Sequence, residues 1–148
     1  MTQSEIPSGY KPIFRSSPFL DLTGPYFYKT LEKGFVVGLR VEPHHVNNSG
    51  TAHGGLLATL ADVSLGYVTA MSQSPPIRMI TSNLGLDYVG VASAGDWLEA
   101  NVTVIKVGSR LAFANLIITA NDAPIVSARA TFYVSGSEGD KNIKDNKA

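Results

Sequence analysis

One stretch in the middle of the chain restricts the fold more than any other. Leu56, Leu60, Val63, Tyr67 and Met71 recur at helical spacing, and Leu57, Ala61, Leu65 and Val68 add apolar surface on other sides. A helix that is apolar around most of its circumference has to be buried on most sides. The remainder of a 148-residue chain, long enough for one domain with one sizeable core, must therefore enclose it.

The flanking sequence has the period needed to do so. Phe35, Val37, Leu39 and Val41 alternate with Val36, Gly38, Arg40 and Glu42, the pattern of a strand. A turn-forming segment, Pro43 to Gly50, leads to the helix. Beyond it Ile80, Ser82, Leu84, Leu86 and Tyr88 alternate. Leu98, Ala100, Val102 and Val104 do so after the turn at Ala94-Gly95-Asp96. Gly108-Ser109 connects into Leu111 through Thr119, and Asn121-Asp122 into Ile125 through Val134. Short links predict antiparallel pairing. The expected architecture is α+β: a strand, a long helix, then four strands, forming one antiparallel sheet curled around the helix.

The domain is expected over residues 18–134. The first 17 residues read as a loose arm, although Phe14 and Phe19 could dock part of this region. The tail from Ser135, SGSEGDKNIKDNKA, reads as disordered.

Composition removes several classes of function. Twelve Lys+Arg balance twelve Asp+Glu with no basic block, so no nucleic-acid footprint is visible. The absence of cysteine excludes a disulfide scaffold, thiolate zinc ligands and a cysteine nucleophile. Met1 to Tyr10 lack a secretory signal. Leu56 to Met71 is short for a membrane span and carries Asp62 near its middle. A soluble, cytoplasmic protein without membrane contacts is the expectation.

Two features of the helix bear on chemistry. His53-Gly54-Gly55 precedes the apolar run, and glycines there let a ligand approach backbone amides that have no helical partner. Those amides and the helix dipole favour negative charge, including the oxygen that becomes anionic when a carbonyl is attacked. Close packing at the helix start would explain the same glycines. Asp62 is the second feature. A carboxylate within an apolar helix is unfavourable unless it is paired or faces a cavity. Ala58, Thr59, Leu65 and Gly66 are its neighbours at three and four residues, with Thr69 further along. That face is mostly small, leaving room for a ligand or another helix. Exposure to solvent, or a bond to a nearby hydroxyl, would also accommodate the carboxylate. His44, His45 and His53 show no metal-ligand spacing; neighbouring residues at a strand end should point apart, so surface or turn roles are expected.

Asn47-Asn48-Ser49-Gly50-Thr51-Ala52-His53-Gly54-Gly55, with Asp62 nine residues after His53, resembles the PaaI-like acyl-CoA thioesterases of the hotdog superfamily. Asn47, Gly50, His53, Gly54, Gly55 and Asp62 match the family's pattern residue by residue. Ile80 to Tyr88, Gly95-Asp96 with Leu98-Glu99-Ala100, and Gly108-Ser109-Arg110 resemble its later strands and turns. The resemblance runs from about Pro18 to Val134 and departs in the aromatic segment Phe19 to Tyr28, which could reshape an acyl pocket.

The resemblance implies a hotdog fold and hydrolysis of a fatty or aryl acyl-CoA thioester without metal or cofactor. Gly54 would donate its N–H to the thioester carbonyl. Asp62 would act as general base or nucleophile. Asn47 would hold the water or the carbonyl, and Thr81 would orient Asp62 or the nucleophile. His53 would fix the turn beside Gly55, Ser82 would line the substrate site, and Lys106 and Arg110 could meet the CoA phosphates. A hotdog enoyl-CoA hydratase or dehydratase, with histidine as acid–base group, is the nearest rival; a non-catalytic acyl-CoA-binding module is another. A homo-oligomer, dimer or dimer of dimers, follows from helix geometry as well. Gly54 and Asp62 are eight residues apart, or roughly 12 Å along a helix, and two antiparallel copies would bring one chain's Gly54 beside the other's Asp62.

Overall fold

The structure, a computed structural model, describes residues 5–139. Seven strands form one antiparallel sheet in the order β1-β2-β3-β5-β6-β7-β4. They are β1 (Lys11–Pro12), β2 (Tyr26–Thr30), β3 (Phe35–Arg40), β4 (Ile77–Tyr88), β5 (Trp97–Val107), β6 (Leu111–Ala120) and β7 (Ala123–Ser137). A short helix α1 (Pro18–Thr23) precedes β2, and the long helix α2 (Gly54–Met71) lies between β3 and β4. α2 packs against β3, β4, β5, β6 and β7.

The burial pattern follows the sequence period. In β6, Ala112, Ala114, Leu116 and Ile118 are buried while Leu111, Phe113, Asn115 and Ile117 are exposed, as expected for a strand with one face on a core. The inward side chains meet Leu57, Leu60, Ala61 and Leu65 of α2, together with Val37, Leu39, Leu98, Val126 and Phe132. Leu60 is fully buried, so truncating it to Ala would cost about 2–5 kcal/mol. His53 caps the start of α2. At its end the Ser72 hydroxyl and N–H both donate to Thr69 O, at 2.6 and 3.2 Å, and Pro75-Pro76 cannot continue the helix.

Several expectations are corrected. Two strands and a helix precede the first strand read from the sequence. The segment around Phe19 to Tyr28 forms α1 and β2, the latter paired with β3 from Tyr26↔Leu39 to Thr30↔Phe35. The described part of the N-terminal arm is docked rather than loose. Lys11 and Pro12 pair with Tyr28 and Phe27, Arg40 Nη2 donates to Glu5 O at 2.6 Å, and Tyr10 packs edge-on against Trp97. Gly38 makes that outer layer possible, because a Cβ there would collide with both the Trp97 and Tyr10 rings. A polar, proline-bearing composition does not prevent such a segment from bonding through its backbone along a strand. At the other end β7 continues to Ser137, past the expected boundary at Val134; the rest of the expected disordered tail, from residue 140, and residues 1–4 lie outside the described residues. The successive strands β4 and β5 are also not neighbours: β4 pairs with β7, and β5 with β3 and β6. The segment from Val89 to Asp96 carries the chain from one edge of the sheet to its interior.

The histidine geometry differs too. His44 and His45 lie in a 3-10 turn, Pro43–His45, not at a strand end. Their rings come together at 3.9 Å instead of pointing apart.

Candidate active site

Asp62 lies on the one side of α2 that the sheet leaves uncovered. Thr59, Asp62, Gly66 and Ala70 are all half-buried and fall at intervals of three and four residues, so they form one face. Across this face lies β4, the last strand of the sheet. Thr81 on β4 donates its hydroxyl to Asp62 Oδ1 at 2.8 Å. This bond fixes the carboxylate from the strand side, and Asp62 lines a cleft of about 450 Å³. Thr59, Gly66, Met79 and Phe132 line that cleft, with Phe19 from α1. Tyr67 also lines it; burial raises its phenol above the ordinary tyrosine value, so it stays neutral.

The start of α2 borders a second cleft of about 330 Å³, formed by His53, Gly55, Leu56 and Thr59 with Phe19, Leu22, Thr23, His44 and His45. His53 Nδ1 accepts from Gly55 N–H at 2.8 Å, which satisfies one of the helix's free amides. That bond places the ring proton on Nε2 while the imidazole is neutral. Gly54 N–H heads the helix with no intrahelical partner. On its other side Tyr88 packs over Gly54 and donates its hydroxyl to Gly54 O at 2.8 Å. The peptide at the helix start is thereby held by the end of β4.

Asn47 is used locally. Its Oδ1 accepts from Ser49 N and Thr51 N at 2.9 and 3.2 Å, and its Nδ2 donates to Thr51 Oγ1 at 3.0 Å. This is an Asx-type turn, closed by Gly50 at φ +77, and it sets the loop that delivers the chain to His53. Ser82 is exposed at a register irregularity between Thr81 and Asn83. Lys106 and Arg110 are exposed at the β5–β6 connection and line neither cleft.

Within one chain, then, Asp62 and Thr81 are joined, and His53 and Gly55 are joined. Gly54 and Asn47 are not brought to Asp62. Tyr88, Phe19 and Tyr67 were not foreseen as site residues. Tyr88 and Tyr67 were read only as members of periodic patterns, because sequence period cannot show that a strand end lies over a helix start. Phe19 enters the sequence reading as a residue able to dock and as the start of the aromatic segment that could reshape an acyl pocket.

His45 organises the loop behind this region. It is buried, its Nδ1 accepts from Glu42 N–H at 2.9 Å, and its Nε2 donates to Thr23 O at 2.6 Å. His44 Nε2 reaches Gly24 O at 3.0 Å, and His45 O accepts from His53 N–H at 2.8 Å. Burial lowers the His45 pKa, with the neighbouring His44 acting in the same direction; the bond to Thr23 and the nearby Glu42 oppose the shift. His45 thus ties the end of α1 to the start of α2 in its neutral form. Among the described residues no group of three or more His, Asp or Glu side chains is arranged to hold a metal ion.

A long helix partly enclosed by one antiparallel sheet is the architecture of the hotdog-fold thioesterase structures. The family model described as the thioesterase superfamily matches residues 49–140, more than half of the chain. A Pseudomonas aeruginosa protein named provisionally as an esterase is 48% identical over 130 residues, covering 87% of this chain and 97% of the relative. Acyl-coenzyme A thioesterase 13 of Mus musculus is 31% identical over 104 residues, covering 64% of this chain and 74% of the relative. The crystal structure of a hypothetical thioesterase from Streptococcus pneumoniae, solved with coenzyme A, superposes with a TM-score of 0.69. It has 25% identity over 76% of this chain and 90% of that one. The chain belongs to the thioesterase superfamily and is an enzyme with the hotdog fold.

Proposed function

We propose that the protein hydrolyses acyl-CoA thioesters to a free acid and CoA, with Asp62 activating the attacking water. The observation that carries the assignment is the Thr81–Asp62 bond. It holds a carboxylate with one free oxygen at the wall of a cleft, where a water can be deprotonated as it attacks a carbonyl. The acyl-CoA substrate is supported by the relative named as an acyl-coenzyme A thioesterase and by the coenzyme A in the Streptococcus pneumoniae structure. The thioester carbonyl would receive the Gly54 N–H, which the dipole of an 18-residue helix assists in stabilising the developing oxyanion. The chemistry balances simply: hydroxide adds to the carbonyl carbon, the C–S bond breaks, and the proton taken by Asp62 returns to the departing thiolate. Asn47 shapes the loop that presents His53 and Gly54.

Gly54 and Asp62 cannot act on one carbonyl within one chain, since about 12 Å of helix separates them. A two-fold dimer resolves this. Among the described residues β4 pairs only with β7, leaving a twelve-residue strand with one open edge, the kind of edge that invites pairing. Antiparallel pairing of β4 with its copy would continue the sheet and lay the two α2 helices side by side in opposite directions. Each Asp62 would then face the partner's helix start. A dimer of dimers is compatible with the same site.

No metal is required by this route, so prolonged chelation should leave turnover intact. The reading is tested by following CoA release from short, long and aromatic acyl-CoAs, with enoyl-CoA hydration assayed in parallel. Hydrolysis with little hydration is expected, and Asp62→Asn should reduce it about a hundredfold or more. Near-normal turnover in that variant, or hydration alone, would refute the assignment.

A further inference from the structure

The Asp62 cleft extends from the carboxylate toward a partly exposed ion pair. From Asp62 it continues along α2 past Gly66 to Ala70, and along β4 from Thr81 back to Ile77. The two elements give independent measures of its length. Eight residues of helix rise about 12 Å, and four residues of strand about 13 Å. Ala70 and Ile77 line the same cleft, and Ile77 pairs with Ser137 while Glu138 N–H donates to Pro76 O at 2.8 Å. There Glu138 Oε1 accepts from Arg15 Nη2 at 2.9 Å, and both residues line the cleft. The pair joins the N-terminal arm to the end of β7 across the far end of the cleft. Between it and Asp62 the apolar wall is Gly66, Ala70, Ile77, Met79 and Phe132, with Tyr67 and Arg78 also lining the cleft.

Building on the thioesterase reading, we infer that this cleft takes the acyl chain and that the Arg15–Glu138 pair sets its maximum length, making medium-chain acyl groups the preferred substrates. A carbonyl attacked by water at Asp62 leaves its acyl chain at the mouth of the apolar section. Each C–C bond of about 1.5 Å advances an extended chain by slightly less than its own length, so about 12 Å of groove holds roughly eight to ten carbons. Every methylene buried on the way adds favourable transfer free energy. A longer chain would press its end against two charged groups and strip their water, which is unfavourable. The preference should therefore rise with length and then fall.

The experiment measures kcat/KM for hydrolysis of straight-chain acyl-CoAs from four to sixteen carbons. Three proteins are compared: wild type, Glu138→Ala and Gly66→Leu. Wild type should peak near eight to ten carbons. Glu138→Ala should raise the sixteen-to-eight-carbon ratio at least tenfold. Gly66 lies one helical turn beyond Asp62, and a Cβ there meets only Phe132 at 3.8 Å. Gly66→Leu should therefore lower the eight-to-four-carbon ratio at least tenfold, with correct folding checked by circular dichroism and thermal melting. If wild type hydrolyses acyl-CoAs but neither variant changes the length profile, the acyl chain lies elsewhere and the inference is overturned, while the thioesterase reading stands. If no acyl-CoA is hydrolysed, both are overturned.

Discussion

Thr81 and Asp62 meet at 2.8 Å across the gap between the edge strand and the central helix. The hydroxyl donates to Oδ1, so it stabilises the charged carboxylate and restricts its rotation. Replacing Thr81 with Val keeps the shape and removes the donor. In Thr81→Val, kcat should fall about tenfold, with KM nearly unchanged. The loss should be smaller than in Asp62→Asn because the base itself remains. Steady-state kinetics of the two variants on one acyl-CoA check the order.

Tyr88 makes a different kind of contact, donating to Gly54 O at 2.8 Å from the end of β4. Tyr88→Phe removes the hydroxyl but retains the ring against Gly54. A lost hydrogen bond of this type costs about 1 kcal/mol, measurable by chemical denaturation. Since the bond also holds the peptide at the helix start, kcat should fall along with stability.

The pH dependence of stability should report His45. Burial lowers its folded pKa, so the unfolded chain takes up the proton more readily. The contribution is fully present above the unfolded value of about 6.5 and is lost as pH falls toward the lower folded value. His44, Glu42 and the Thr23 carbonyl face this ring. Melting temperature should decline more steeply below about pH 6.5 in wild type than in His45→Gln, and parallel curves would contradict the assignment.

How far the sequence revealed this arrangement depends on the kind of signal each residue carries. The central helix was legible because Leu56, Leu60 and Val63 repeat with the helical period, and β5 because Leu98, Ala100, Val102 and Val104 alternate. Asp62 stood out by its unfavourable placement, and its partner Thr81 came from the family resemblance. β2 escaped because Tyr26, Phe27 and Tyr28 are aromatic in succession, with no alternation between two faces. β1 is two residues long, too short for any period. The order of the sheet escaped because chain links show which strands follow one another and not which strands pair. Likewise, only the folded chain reveals Arg15 beside Glu138, 123 residues apart.

The shared site is the central claim, and Gly54→Pro isolates it cleanly. Gly54 is the first residue of α2, a position where proline is well tolerated. His53, at φ −62 and ψ 136, already has the conformation that precedes proline. The substitution removes the proposed oxyanion donor without obliging the helix to move. Gly54→Pro and Asp62→Asn should each be nearly inactive as pure proteins. When the two are unfolded together and refolded at equal amounts, half of the dimers are mixed and each rebuilds one of its two sites. The hydrolysis rate of that mixture is the decisive measurement: the shared site predicts recovery of about a quarter of wild-type activity, whereas no recovery, with mixed dimers shown to be present, would place the whole site within one chain.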